Sequence, residues 1–177
     1  SAYGSPDPST YKHSNGTVLF NNHSNPVIHG CLVSGQSTST DGLYNVIIDG
    51  GANTKAATYQ GSNATYIYND FTLTNGDFKV NGASNTFTVL GNVLFSAGKM
   101  FVSGSAPSGA HTYGTLKIVS GATYKATSGT TTVSKETDTG GTDFMFYNDG
   151  TFTHNDGKFV FDDAGLSSSS NVRNPSS

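Results

Sequence analysis

Three short units in the middle of this chain repeat one pattern at nearly constant spacing. Residues 71–82 (FTLTNGDFKVNG), 93–104 (VLFSAGKMFVSG) and 116–127 (LKIVSGATYKAT) each read as an alternating run, a glycine corner and a second alternating run. Their corner glycines, Gly76, Gly98 and Gly121, stand 22 and 23 residues apart, the length of one stacked solenoid coil. Within a unit, Phe71 and Leu73, then Phe78 and Val80, alternate with polar neighbours, the period of a half-buried strand. A second pair of similar segments nearly brackets the chain: YKHSNGTVLFNN at 11–22 and FTHNDGKFVFDD at 152–163.

Locally the same residues fit a hairpin. Asn15-Gly16, Asn75-Gly76, Asn81-Gly82 and Asp156-Gly157 are strong signals for two-residue antiparallel turns. Regular spacing of like units decides for parallel stacking, in which matching positions lie over one another from coil to coil. The expected fold class is therefore all-β, a parallel β-solenoid (β-helix) with coils of about 22 residues. Its structural corners fall at Gly16, Gly76, Gly98, Gly121 and Gly157, and its stacked core is drawn from Phe20, Phe71, Phe78, Val80, Phe95, Val102, Phe152, Phe159 and Phe161. Coils of that length imply roughly eight turns and a rod about 40 Å long at the usual strand spacing of about 4.8 Å.

Composition agrees. Of 177 residues, 22 are Gly, 23 Ser, 23 Thr and 16 Asn, which suits strands and corners and disfavours a helical domain. Eleven Phe and nine Tyr, spread along the chain, argue against a disordered linker. The expected organisation is a polar extension at 1–10, a β-solenoid domain at 11–166 and a polar tail or linker at 167–177. Two segments break the period, 50–62 and 130–142, and read as loops bulging from the stack.

Chemistry-bearing residues are sparse. A net charge of −3, with nine basic residues scattered singly, gives no footprint for nucleic acid, and no apolar run is long enough to span a membrane. The single Cys31 excludes an internal disulfide framework. His29 and Cys31 share a strand face and would suit two ligands of a zinc site, but nothing nearby in the sequence completes the set. His13 and His154 occupy matching places in their two segments; His23 and His111 match no metal motif. Asp49, Asp70, Asp77, Asp149, Asp156, Asp162 and Asp163 gather at corners, where capping of turns explains them better than calcium. Asp162 and Asp163 would point to opposite strand faces, poor geometry for the paired carboxylates of a glycosidase; Glu136 is the only Glu and lies in an expected loop, and Arg173 the only Arg, in the expected tail. No cofactor motif is present, and the expectation is a protein that is not an enzyme.

The order of the first pieces resembles a known repeat style. YKHSNGTVLFNN is followed by Asn25-Pro26-Val27-Ile28 and then by Leu43-Tyr44-Asn45-Val46-Ile47-Ile48, with the first piece recurring at 152–163. This arrangement is similar to the low-complexity β-solenoid repeats of phage structural and fibre proteins and of marine bacterial surface adhesins, with Leu43 standing where an aromatic is usual. The resemblance implies a structural or attachment module of a virion (fibre, spike or capsid decoration), or alternatively an extracellular adhesin binding glycan or protein. A β-helical polysaccharide-degrading enzyme is the third reading. Implied partners are other structural subunits, in a homo-oligomer or larger assembly, and a surface glycan. No catalytic residue is carried over.

Overall fold

The computed structural model describes residues 14–21, 27–28, 43–50, 56–60, 65–81, 84–103, 108–135, 144–162 and 172–173, some of them by backbone alone. Sixteen strands are found among them and no helix: β1 (Thr17–Asn21), β2 (Val27–Ile28), β3 (Asn45–Asp49), β4 (Ala56–Gln60), β5 (Thr65–Ile67), β6 (Phe71–Asn75), β7 (Asp77–Asn81), β8 (Phe87–Phe95), β9 (Gly98–Ser103), β10 (His111–Ile118), β11 (Ala122–Lys125), β12 (Thr130–Val133), β13 (Phe146–Asn148), β14 (Thr151–Thr153), β15 (Lys158–Phe161) and β16 (Val172–Arg173). Every pairing between them is parallel, in a ten-stranded and a six-stranded sheet. The chain is a parallel β-solenoid. Asn75-Gly76 accordingly turns no hairpin: it hands the chain from β6 in one sheet to β7 in the other.

The ten-stranded sheet is two runs wide. Phe87–Val89, the first part of β8, pairs with β5, while Val93–Phe95 pairs with β6. Likewise the start of β10 pairs with β12 and its end with β13. Between the halves the register slips, with Leu90 and Gly91 of β8 set against the single Gly114 of β10, a bulge that lets the strand change direction. Each coil thus has a first face, a second face after the bulge, and a third face in the six-stranded sheet. Four coils carry a strand on all three: β5-β6-β7, β8-β9, β10-β11 and β12-β13-β14. Incomplete coils flank them. Leu43, bridged to Ile67, precedes β3 and β4, and β1 and β2 lie before those; β15 and β16 follow at the other end.

One core runs up the middle. Phe71 of the second face, Phe78 of the third and Phe87 of the next coil's first face meet with ring centroids 5.0, 5.5 and 5.6 Å apart, and Phe95 joins them 6.3 Å from Phe71. All four rings are fully or nearly fully buried, as is Val80. Burying each relative to water stabilises the fold by roughly 1.5–3 kcal/mol, so the interior aromatics outweigh any surface term. Phe20, Phe152 and Phe159 are half-buried and pack on this core from its ends. Phe161 differs from expectation. It points inward above Val133 yet is 42% exposed, because no strand among the described residues lies on the far side of β15. Val102 faces Val80 in the register, but its side chain is outside the described ones.

Coil length varies more than the sequence period. Phe71, Val93 and Leu116 follow one another in register at steps of 22 and 23, but Tyr113 to Val133 is 20, Thr17 to Asn45 is 28 and Leu116 to Phe146 is 30. The long step falls between β12 (Thr130–Val133) and β13 (Phe146–Asn148), which twelve residues separate where three separate β5 from β6. Fewer coils than eight result. Both supposed loops contain strands: β4 lies within 50–62, and β12 opens 130–142. The presumed tail contributes β16, which pairs with β13. The two bracketing segments are not equivalent either, since β1 lies on the second face whereas 152–163 runs from β14 on the third face to β15 on the first. The true counterpart of the central units at that end is 146–153, with Gly150 at the corner.

Three of the five proposed corners have the backbone that requires glycine: φ is +81° at Gly76, +90° at Gly98 and +86° at Gly121. At the other two, neighbours take the left-handed turn instead, Asn15 (φ 56°) beside Gly16, and Asn155 and Asp156 (φ 52° and 57°) before Gly157. Asn and Asp tolerate that region because their side chains bond locally. Gly157 is small for another reason, since a Cβ there would sit 2.2 Å from the Thr127 carbonyl oxygen. Gly98 combines both demands, with a Cβ falling 2.0 Å from the Gly76 carbonyl oxygen, whereas a Cβ on Gly121 meets nothing within 4 Å. Hence Gly121→Ala is expected to cost about 1–2 kcal/mol from backbone conformation alone, and Gly98→Ala clearly more. Gly16→Ala, with open space and no positive φ, should lie within about 0.5 kcal/mol of the parent. Urea unfolding of the three variants measures the order.

Candidate functional site

Polar residues organise in two places, one on the outside of a corner and one in the core. The outer one sits where the first face turns into the second. Asn45 Nδ2 donates to Thr17 Oγ1 (3.2 Å), and Asn45 Oδ1 accepts from Asn69 Nδ2 (2.9 Å) and from the Asp70 amide (3.2 Å). One coil on, Asp70 Oδ1 accepts from the Asn92 amide (2.8 Å) and side chain (3.1 Å), and Asn92 Oδ1 accepts from Thr115 Oγ1 (2.9 Å). A ladder of side-chain hydrogen bonds therefore climbs five rungs. It satisfies the amides of Asp70 and Asn92 at the corner between the first and second faces. Asp70, expected to cap a turn, does so, but across coils rather than within its own.

The inner cluster is His111, Tyr113 and Tyr124, all fully buried. Tyr113 Oη lies 2.9 Å from His111 Nδ1 and 3.2 Å from Tyr124 Oη, and the His111 Nδ1 to Tyr124 Oη distance is 3.4 Å. His111 Nε2 has no partner. A bare lone pair costs less than an orphaned N–H, which assigns the proton to Nδ1, donating to Tyr113, which in turn donates to Tyr124. Burial holds the imidazole neutral, lowering its pKa to about 4. Burial also raises Tyr113 well above its usual value, with Tyr124 adding to the effect, and takes Tyr124 up to about 12 against the opposing pull of Tyr113 and Thr131. The Thr131 hydroxyl approaches Tyr124 without the geometry of a formed hydrogen bond.

This cluster has the residue types of acid–base chemistry and none of the access. His111 occupies an inward row, Phe87–His111–Thr131–Phe159, with the Phe87 ring 6.0 Å away on one side and buried Thr131 on the other. A substrate would have to enter a packed core; the cluster joins the first and third faces of the third complete coil, β10 to β11. The remaining candidates do not converge. His154 is 71% exposed, its Nδ1 accepting from the Asp156 amide at 3.0 Å, and Asp156 Oδ1 is 3.9 Å away. Asp77 is on β7, Asp49 ends β3, and Asp149 and Asp162 lie on different faces. His13, His23, His29, Cys31, Glu136 and Asp163 lie outside the described residues, and of Arg173 only the backbone is described. Among the described residues no group of three or more His, Cys, Asp or Glu is placed to hold a metal, and no helix is long and apolar enough to cross a membrane.

Sequence reasoning missed both polar networks. For the outer ladder a signal existed, because Asp70, Asn92 and Thr115 stand 22 and 23 residues apart, the same steps as the corner glycines. For the inner cluster there was none, since neither His111 nor Thr131 continues the aromatic row that Phe87 and Phe159 mark. Comparison of the chain with protein-family models, curated proteins and solved structures returns no match.

Two outcomes are expected. Between about pH 6.5 and 4 the unfolded chain binds the His111 proton and the folded chain does not, so stability falls as pH falls through that window, by about 3 kcal/mol. Denaturant titrations at pH 7, 5.5 and 4 should show this slope in the parent and lose it in His111→Gln. Asn45→Ala removes three ladder bonds and strands the Asp70 amide, and is expected to cost about 1–3 kcal/mol by the same measurement.

Proposed function

We propose that this chain is a non-catalytic structural or attachment module, a fibre, spike or decoration element of a phage virion. One observation supports it above the rest: a stack of four complete coils whose interior is filled with side chains, leaving the outward strand positions as the surface available for recognition. Among the described residues the types needed for hydrolysis are buried, as at His111, or apart, as at the corner aspartates. The parallel pairing of the described strands suits a stiff spacer whose stacked coils resist local opening. The resemblance of 11–48 to phage and surface-protein repeats supplies the virion setting.

An extracellular adhesin module is the second reading, supported by the uncharged outward face described in the next section. Electron microscopy of the native assembly, carried to a backbone trace, separates them. Parallel coils attached to a capsid or tail are the expected result; the same coils anchored on a cell envelope would transfer the module to the adhesin class. Turnover of any polysaccharide, abolished by changing Asp162, would overturn a non-catalytic role.

A further inference from the structure

The three faces of the stack present different chemistry to solvent. The third carries Lys79 and Lys125 at outward positions. The second carries Lys117 beside Tyr147, its Nζ 5.2 Å from the ring centroid. The first face has no Asp, Glu, Lys or Arg through four successive rungs, in 65–67, 84–90, 108–114 and 128–134. Its central outward row is Tyr66, Thr88, Thr112 and Thr132, aligned in strict register. Thr88, Thr112 and Thr132 each alternate with fully buried neighbours and Tyr66 precedes the buried Ile67, so each points outward. Tyr68 stands beside Tyr66, the two rings 5.1 Å apart. Among the described residues the hydroxyls of Thr88, Thr112 and Thr132 have no protein partner.

The geometry points to this face as a binding surface for a neutral polysaccharide chain. Three like hydroxyls, repeated at the strand spacing of about 4.8 Å, form a line of donors and acceptors along the rod. The tyrosine pair at one end supplies an apolar platform with a polar rim, suited to the C–H face and hydroxyl edge of a sugar ring. A protein partner fits less well. Among the described residues the large exposed apolar side chains are Leu19 on β1 and Phe161 on β15, the latter in the inward row beside Thr132's strand and not in the outward row itself, and a dry interface would strand the threonine hydroxyls unless the partner met each one. An anionic polymer would find no cation on these four rungs and would be drawn to Lys158 on β15 or to Lys79 and Lys125 on the third face instead. A sugar chain, uncharged and hydroxyl-rich, satisfies all three conditions. The inference rests on the attachment reading and names its ligand class.

The test is native electrophoresis through gels cast with mixed-linkage β-glucan, galactomannan or agarose, and with alginate as an anionic control. The full chain should be retarded by at least one neutral polymer and not by alginate. Tyr66→Ala and Thr112→Lys should each weaken retardation about tenfold, a loss of one polar or stacking contact, with unfolding midpoints near that of the parent; Lys125→Glu should leave it unchanged. Unchanged mobility in all three neutral gels overturns the inference. So does retardation that survives both first-face variants, retardation by alginate alone, or a dimer in sedimentation that Thr112→Lys dissolves. The microscopy described above is independent of these gels: coils seen in an assembly with no glycan retardation would remove the ligand and leave the module.

Discussion

Parallel pairing at one-rung spacing is the constraint from which the rest of this molecule follows. When every strand sits in register over the strand one coil earlier, a side chain's nearest neighbours are the residues at its own position in the coils above and below. Interior positions then form rows, and a row is stable only if its members stack. Val46, Phe71, Val93, Leu116 and Phe146 do so on the second face, and Phe78, Met100, Tyr124 and Phe152 on the third. Corners obey the same rule more severely, because there the backbones themselves approach. A Cβ on Gly98 would meet Gly76, one on Gly114 would meet Gly91, and one on Gly129 would meet Ser108, each closer than 2.5 Å to a carbonyl oxygen. Small residues at turns are therefore demanded by the coil beneath as much as by the turn.

The same stacking explains how polar groups are tolerated. Asn45, Asp70 and Asn92 bond to the rung before and the rung after, so an exposed corner that would otherwise fray gains a continuous strip of hydrogen bonds. Each contributes about 1 kcal/mol net, less than one buried phenyl ring, but two of them also hold backbone amides, those of Asp70 and Asn92. The core cluster reverses that balance. A buried imidazole is costly, and His111 is tolerated because Tyr113, two residues on along β10, and Tyr124, across the interior on β11, bring their hydroxyls to one point. Its unpartnered Nε2 means that this satisfaction is incomplete. Acid sensitivity in the middle of the stack is the physical consequence.

Much of this was legible because it is periodic. The alternation Phe71, Leu73 and Phe78, Val80, with glycine between, specifies strand, corner, strand, and its recurrence at Gly98 and Gly121 specifies stacking over hairpins. What lay outside the period was misread. The bracketing segments look alike because any strand entering the stack through an Asn-Gly or Asp-Gly corner has that appearance, whichever face it joins. Thr130–Val133 read as loop because three threonines carry no apolar alternation, yet Thr131 and Val133 are buried in register below Phe159 and Phe161. Phe161 read as core from its place in an alternating run, but alternation reports direction and not cover. Whether an inward residue is buried depends on the next coil, which a local pattern does not contain.

Interior and corner positions being fixed by their neighbours, the outward positions are where the sequence is free to vary in chemistry, and there the three faces diverge. The in-register row of Thr88, Thr112 and Thr132 gains little as packing, since a threonine on the solvent side of a central strand is matched for propensity by valine or tyrosine. Charged residues would serve solubility there as well as they do at Lys79 on the neighbouring face. An uncharged hydroxyl row with two tyrosines at its head is thus not something the stack requires of its sequence. A feature that the fold neither needs nor excludes, held in register by one that it does need, is the natural place for recognition on a molecule whose core is closed.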